Sequence, residues 1–205
     1  PNIQNNRLMS LTVNQGDIAL TGDSINTGNV EQFDLITRSV HIGTSVLAKK
    51  LNVITGTNTV NYNTLAVTPN TSAGSKPQTA IDSSLVGGMY ANTISLISTE
   101  SGIGVKFDGE MATNTGDVTL SADGEITINH ANSAQNLNIS SNNNINTKQL
   151  LYGQNIQLNT SKTITNSGLV AASKSIATQS NTLNNQKDIL VGLNPNGNLN
   201  NLGNA

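Results

Sequence analysis

The chain has 205 residues, of which 35% are hydrophobic, 11% charged and only 2% aromatic; the formal net charge is -2 and there is no cysteine. Disulfides and thiolate metal sites are therefore excluded, the single adjacent basic pair, Lys49-Lys50, is no footprint for nucleic acid, and no apolar run approaches the length of a membrane span. The apolar fraction is enough for a core, but a compact domain of this size leans on aromatic bulk that is missing here.

Residues 1–29 hold short strand-like pieces at Leu11–Val13 and Ile18–Leu20, with Gly16, Gly22 and Gly28 marking turns. Residues 30–56 carry three more, near Phe33–Ile36, Val40–Ile42 and Leu51–Ile54. A helix over 46–54 is conceivable locally, but Val53, Ile54 and the closing Gly56 favour strand. Residues 57–80 are poor in apolar anchors and contain Pro69, Gly74 and Pro77, which predicts a hairpin or flexible loop leaving the main body. Strands return near Ile94–Ile97 and Gly104–Phe107.

From residue 116 a beat of about twenty residues sets in. An alternating apolar pair opens each stretch: Val118 and Leu120, Leu137 and Ile139, Ile156 and Leu158, then Ile176 with Thr178. A second anchor follows roughly eight residues on, at Ile126, Ile145, Ile164 and Leu183. Alternation inside short strands sends one side chain inward and the next outward. Coils that stack and bury columns of Ile, Leu and Val satisfy both periods, which predicts an all-β parallel β-helix. Such an interior is filled by stacked aliphatic side chains and does without aromatics. Asn supplies roughly one residue in six, well above average usage; it suits tight turns and can form ladders between coils. About eight coils would give a rod on the order of 40 Å long at normal strand spacing.

The chain begins at Pro1 without a signal peptide, which reads as a mature fragment, an excised piece or a cytosolic chain. The repeats fade into a polar tail over 191–205, expected to be flexible, and the natural protein is expected to continue beyond Ala205.

Two stretches do more than repeat. Arg38-Ser39-Val40, Ala48-Lys49, Leu51-Asn52-Val53, Gly56, Asn58 and Val60 form one ordered set. Asp82, Leu85, Gly87-Gly88-Met89-Tyr90-Ala91, Ile94, Thr99-Glu100, Gly102 and Gly104-Val105 form the second. Together they cover roughly a third of the chain and resemble the secretion domain of two-partner secretion exoproteins, the filamentous haemagglutinin, haemolysin and contact-dependent growth inhibition family. The stretches after residue 116 resemble the haemagglutinin repeats that follow that domain. The family's NPNL and NPNGI motifs do not occur before residue 30, so 1–115 reads as the C-terminal part of the secretion domain and 116–190 as repeats. An NPNG at 194–197 reads as a turn in the Asn-rich tail.

The resemblance implies export by a dedicated outer-membrane transporter, a β-barrel with periplasmic domains, and folding outside a Gram-negative cell into a right-handed parallel β-helix. It further implies display as part of an adhesin, haemolysin or growth-inhibition protein that meets a receptor on a host or neighbouring cell. Arg38, Asn52, Gly87, Gly88, Met89, Tyr90 and Glu100 are its signature residues, read either as transporter recognition or as structure. Gly87-Gly88 is expected to make a tight turn through positive φ. Met89 and Tyr90 are expected to pack in the core or at a coil edge.

Little chemistry competes with this reading. Asp17, Asp34, Asp82, Asp108, Asp117 and Asp123 are scattered, and Asp117 and Asp123 sit in turn-like contexts. His41 and His130 are the only histidines, and no Gly-x-Ser-x-Gly elbow accompanies them. The calcium-binding GGxGxD repeat is absent. No cofactor, metal or catalytic residue is expected; a carbohydrate-active β-helix enzyme and a receptor-binding module built on 57–80 remain as alternatives. Asn70, Asn138 and Asn159 open N-x-[ST] sequons, which a chain this rich in Asn, Ser and Thr contains by chance.

Overall fold

A computed structural model of the chain describes residues 1–71 and 74–193. Among these there is no helix. Strands β1 (Asn2–Gln4) and β2 (Arg7–Val13) form an antiparallel hairpin, and the chain then begins to coil. The first coil is β3 (Asp17–Leu20), β4 (Ile25–Asn26) and β5 (Phe33–Thr37); the second is β6 (Ser39–Ile42), β7 (Ser45–Leu47) and β8 (Lys50–Thr55). Strands β9 (Asn58–Asn61) and β10 (Val67–Pro69) leave the coil as a hairpin. Coiling resumes with β11 (Ile81–Ser83), β12 (Gly88–Ala91) and β13 (Thr93–Ser98). It continues through β14 (Val105–Thr113) and β15 (Val118–Ala122), β16 (Ile126–Asn132) and β17 (Asn136–Ser141), and the single long β18 (Ile145–Thr160). The last described coils are β19 (Thr163–Asn166) with β20 (Leu169–Gln179), and β21 (Thr182–Asn185) with β22 (Ile189–Val191).

Every pairing between coils is parallel, and three faces result. The first stacks Ile18, Val40, Ile81, Val105, Ile126, Ile145, Ile164 and Leu183 in one register column. The second stacks Val46, Met89, Met111, Ala131, Leu151 and Val170. The third stacks Phe33, Leu51, Ile94, Val118, Leu137, Ile156 and Ile176. These columns are the core, and from the second coil to the sixth nearly all their members are fully buried. The apolar beat is thus a parallel β-helix, as its two periods require. Leu183 departs from expectation: it keeps its place in the first column but is 43% exposed, because no described coil covers its outer side.

The 57–80 excursion forms the expected hairpin, and it also does something the sequence does not announce. β9 pairs antiparallel with β2, so the two hairpins merge into one four-stranded sheet in the order β1-β2-β9-β10. Side-chain alternation sends Asn52 and Ile54 outward from the third face, yet they are only 4% and 2% exposed. The antiparallel sheet lies against that face: Pro69 lines a groove with Ile97 and Ser121, and the Thr99 hydroxyl donates to Asn58 Oδ1.

The coil corners are sealed by side-chain ladders. Asn136 Nδ2 donates to Asp117 Oδ1 (2.9 Å), Asn155 Nδ2 to Asn136 Oδ1 (2.9 Å), and Ser175 Oγ to Asn155 Oδ1 (2.8 Å). At the opposite corner Asn142 Nδ2 donates to Asp123 Oδ1 at 2.6 Å, and the Gly102 N–H to Asp123 Oδ2 at 2.8 Å. The Asn142 amide first, and then the Gly102 N–H, hold the Asp123 carboxyl below its ordinary pKa against the opposing effect of burial. A depressed folded-state pKa contributes stability that is complete above the unfolded carboxylate value, about 3.9, and lost as pH falls through the folded value. Asp123→Asn is therefore expected to narrow the gap between urea midpoints measured at pH 7 and at acid pH. An unchanged gap would show that this ladder carries no pH-dependent stability.

Candidate functional site at the coil excursion

Arg38 is the single residue between β5 and β6, and Glu100 lies just beyond β13. Far apart in sequence, they meet at the base of the excursion. Arg38 Nε donates to Glu100 Oε2 at 3.0 Å and Nη2 to Glu100 Oε1 at 2.7 Å, a two-pronged pair. Arg38 is 8% exposed and Glu100 3%. The carboxylate raises the Arg38 pKa above its ordinary value, more than burial lowers it. The guanidinium reaches Glu100 beside Gly56, whose φ is +110°. A Cβ there would stand 2.6 Å from Thr99 Oγ1 and 3.0 Å from the Glu100 nitrogen, so only glycine fits both the backbone and the space. Asn58, 1% exposed, donates from Nδ2 to the Thr55 carbonyl at 2.9 Å and caps the same corner. Among the described residues, no buried side-chain nitrogen or oxygen lacks a partner.

The structure brings Arg38 and Glu100 together and leaves the other signature residues elsewhere. Asn52 points outward on the third face and donates to Asp34 Oδ1 at 2.7 Å, a ladder contact. Gly87, Gly88, Met89 and Tyr90 lie at the start of the second face. Met89 is fully buried in its column. Tyr90 is half-buried, and its hydroxyl donates to Glu110 Oε2 of the next coil at 3.1 Å. Burial first, then the Glu110 contact, raises its pKa.

The expected positive φ at Gly87-Gly88 is absent: neither glycine is among the positive-φ residues. Gly87 is required by close approach instead. A Cβ there would sit 1.9 Å from the Ile42 carbonyl oxygen of the preceding coil. One coil on, a Cβ at Gly109 would sit 1.6 Å from the Gly87 carbonyl oxygen. At Gly88 the obstacle is the Tyr90 ring, at 2.6 Å, which can swing away. Gly87→Ala is therefore expected to destabilise by about 1–3 kcal/mol through a forced backbone shift. Gly88→Ala should cost under about 1 kcal/mol, the value of the Tyr90 hydrogen bond it displaces. Equal urea midpoints for the two variants would refute the close-approach reading.

Sequence reasoning missed Gly109 and Glu110, and named Asn58 and Thr99 only as members of the two ordered sets, without a role. Gly109 was findable, since it closes the same corner one coil after Gly87; the others depend on where the excursion folds back. Among the described residues no group of three or more His, Asp or Glu side chains is placed to hold a metal.

The geometry so far defines a class: a β-helix rod that extrudes one antiparallel sheet and locks the excursion with a buried ion pair. The comparisons narrow it. Residues 1–128 match the model of the TPS secretion domain. Over 128 residues, 62% of this chain, it is 46% identical to a protein of Burkholderia pseudomallei (strain 1026b) named tRNA nuclease CdiA-2, covering 4% of that protein. Over 155 residues, 74% of the chain, it is 34% identical to Toxin CdiA of Yersinia pestis, covering 5% of it. The crystal structure of the filamentous hemagglutinin secretion domain superposes with a TM-score of 0.65, covering 89% of this chain and 57% of that one at 22% identity, which supports the fold. The chain belongs to the TPS secretion domain family: it is the secretion portion of a two-partner exoprotein, secreted or displayed by a Gram-negative bacterium. It spans 4–5% of the length of the two relatives, and the part it matches is their secretion domain.

Proposed function

We propose that this segment is the export and display base of a toxin-delivery or adhesive exoprotein. A transporter formed by a β-barrel with periplasmic domains recognises it, and it then folds outside the cell as the first coils of the rod. The observation that carries this reading is the unbroken register from β3 to β22 across the excursion, with Arg38 and Glu100 closing the gap. A chain that emerges in sequence order needs each finished coil to template the next, and parallel stacking supplies that template. Residues 1–115 act as the C-terminal part of the secretion domain, whose family match runs on to residue 128, and the coils over 116–190 as the beginning of the shaft. The relatives' names place toxin and tRNA nuclease activity in their longer chains, and the same division of labour is proposed here, with growth inhibition of a contacted neighbouring cell as the parent's activity.

No catalytic role is proposed for the segment itself. Several of its acidic side chains serve structure: Asp34 holds Asn52, Asp117 holds Asn136, Asp123 holds Asn142, and Asp108 pairs with Lys106 at 2.8 Å. The deciding experiment deletes the cognate transporter and follows the full-length protein. Loss of surface display with accumulation of the chain inside the outer membrane is the expected result; undiminished display would overturn the proposal.

A further inference from the structure

The third face carries a strip that the ladders do not use. On the fourth to sixth coils its outward side chains form two columns, Thr119–Asn138–Gln157 and Ser121–Ser140–Asn159. None of the six makes a side-chain hydrogen bond within the described residues. On either side the corner ladders are fully engaged, Asp117–Asn136–Asn155 along one edge and Asp123–Asn142 along the other. Some outward side chains elsewhere do find partners: His41 with Asp82, Lys106 and Lys148 with Asp108, Tyr90 with Glu110. The six residues line a shallow groove of about 150 Å³. Strands β15 and β17 and residues 155–160 contain no charged residue.

We propose that this strip binds a neutral, extended glycan lying along the rod. Amide and hydroxyl groups that donate and accept, arrayed without charge, complement a polymer of hydroxyls rather than nucleic acid or a sulfated chain. Rows repeat every ~4.8 Å along the rod and the columns stand about 7 Å apart, so successive sugars can meet equivalent groups. The footprint, on the order of 200 Å², falls far below the ~800 Å² per partner of a stable protein interface, which argues against a second copy of the rod. With no aromatic platform in the strip, a single site is weak, and avidity would come from many rods on one surface.

The test is a titration of the 15N-labelled chain with cellohexaose, followed by backbone and side-chain amide shifts. The expected result is a saturable set of shifts confined to these six residues and their strand neighbours. Asn138→Ala with Gln157→Ala should then weaken binding roughly tenfold or more, the loss of about 1.4 kcal/mol. Thr127→Ala with Asn146→Ala, on the first face, should leave it unchanged. Shifts absent up to millimolar sugar, shifts mapping to another face, or equal weakening by both pairs of substitutions would overturn the proposal. So would strip signals that change with protein concentration alone, since that marks self-association. The shift map is read on the native chain, so the test survives even if a variant fails to fold.

Discussion

Glu100→Ala is expected to lower the stability of the chain by about 3–5 kcal/mol, the usual cost of leaving a buried charge without its partner. The loss comes from the Arg38 guanidinium, which is 8% exposed and would keep its charge without the carboxylate now 2.7 Å away. Arg38→Ala should cost as much, leaving a carboxylate in a site only 3% exposed. The double variant Arg38→Met, Glu100→Leu separates net stability from register. Apolar replacement of a buried pair is often neutral or stabilising, so its urea midpoint should recover most of the loss. If the pair's role is to specify how the third coil seats on the second after the excursion, the double variant should refold to a mixture, visible as doubled amide signals around Thr55, Asn58 and Thr99. A single Ala variant that unfolds at the wild-type midpoint would remove the pair from any account of how the excursion is closed.

The pair also marks the boundary of what the sequence discloses. The columns through Val118, Leu137 and Ile156, and through Ile126, Ile145 and Ile164, are legible because two local periods coincide: two within a strand and about nineteen between coils. Strands β7, β11 and β12 escape notice because each is only three or four residues long and lies against a corner, where glycine and serine replace the alternating pattern. The union of the two hairpins, β2 with β9, is a non-local pairing that no local period encodes. Gly87 and Gly88 look like a turn motif, and the composition correctly points to a tight place; that the tightness comes from the Ile42 carbonyl of another coil is invisible without the stacking. Arg38 and Glu100 were singled out only by resemblance, because the spacing of two charges across an excursion has no period to betray it.

The coil interior itself is tested by two neighbouring substitutions. Ile156 is 1% exposed and stacks between Leu137 and Ile176. Ile156→Asp removes the apolar contacts of a core residue, worth about 2–5 kcal/mol in a large-to-small change. It also buries a carboxylate among aliphatic side chains, so the group must stay neutral or drag water inward. The sixth coil and the coils stacked on it are expected to unravel, because each coil rests on its neighbours alone. Asn155→Asp changes the next residue and should cost less, though more than a purely solvent-facing position would. Asn155 is half-buried, donates to Asn136 and accepts from Ser175. A carboxylate in its place keeps the acceptor but turns the donor into a second oxygen facing Asn136 Oδ1, a loss of about 1–3 kcal/mol. Amide exchange locates each effect: Ile156→Asp should expose β18 through β22, whereas Asn155→Asp should loosen only the corner ladder. Equal melting temperatures for the two variants would mean that the inward and outward sides of the third face had been assigned the wrong way round.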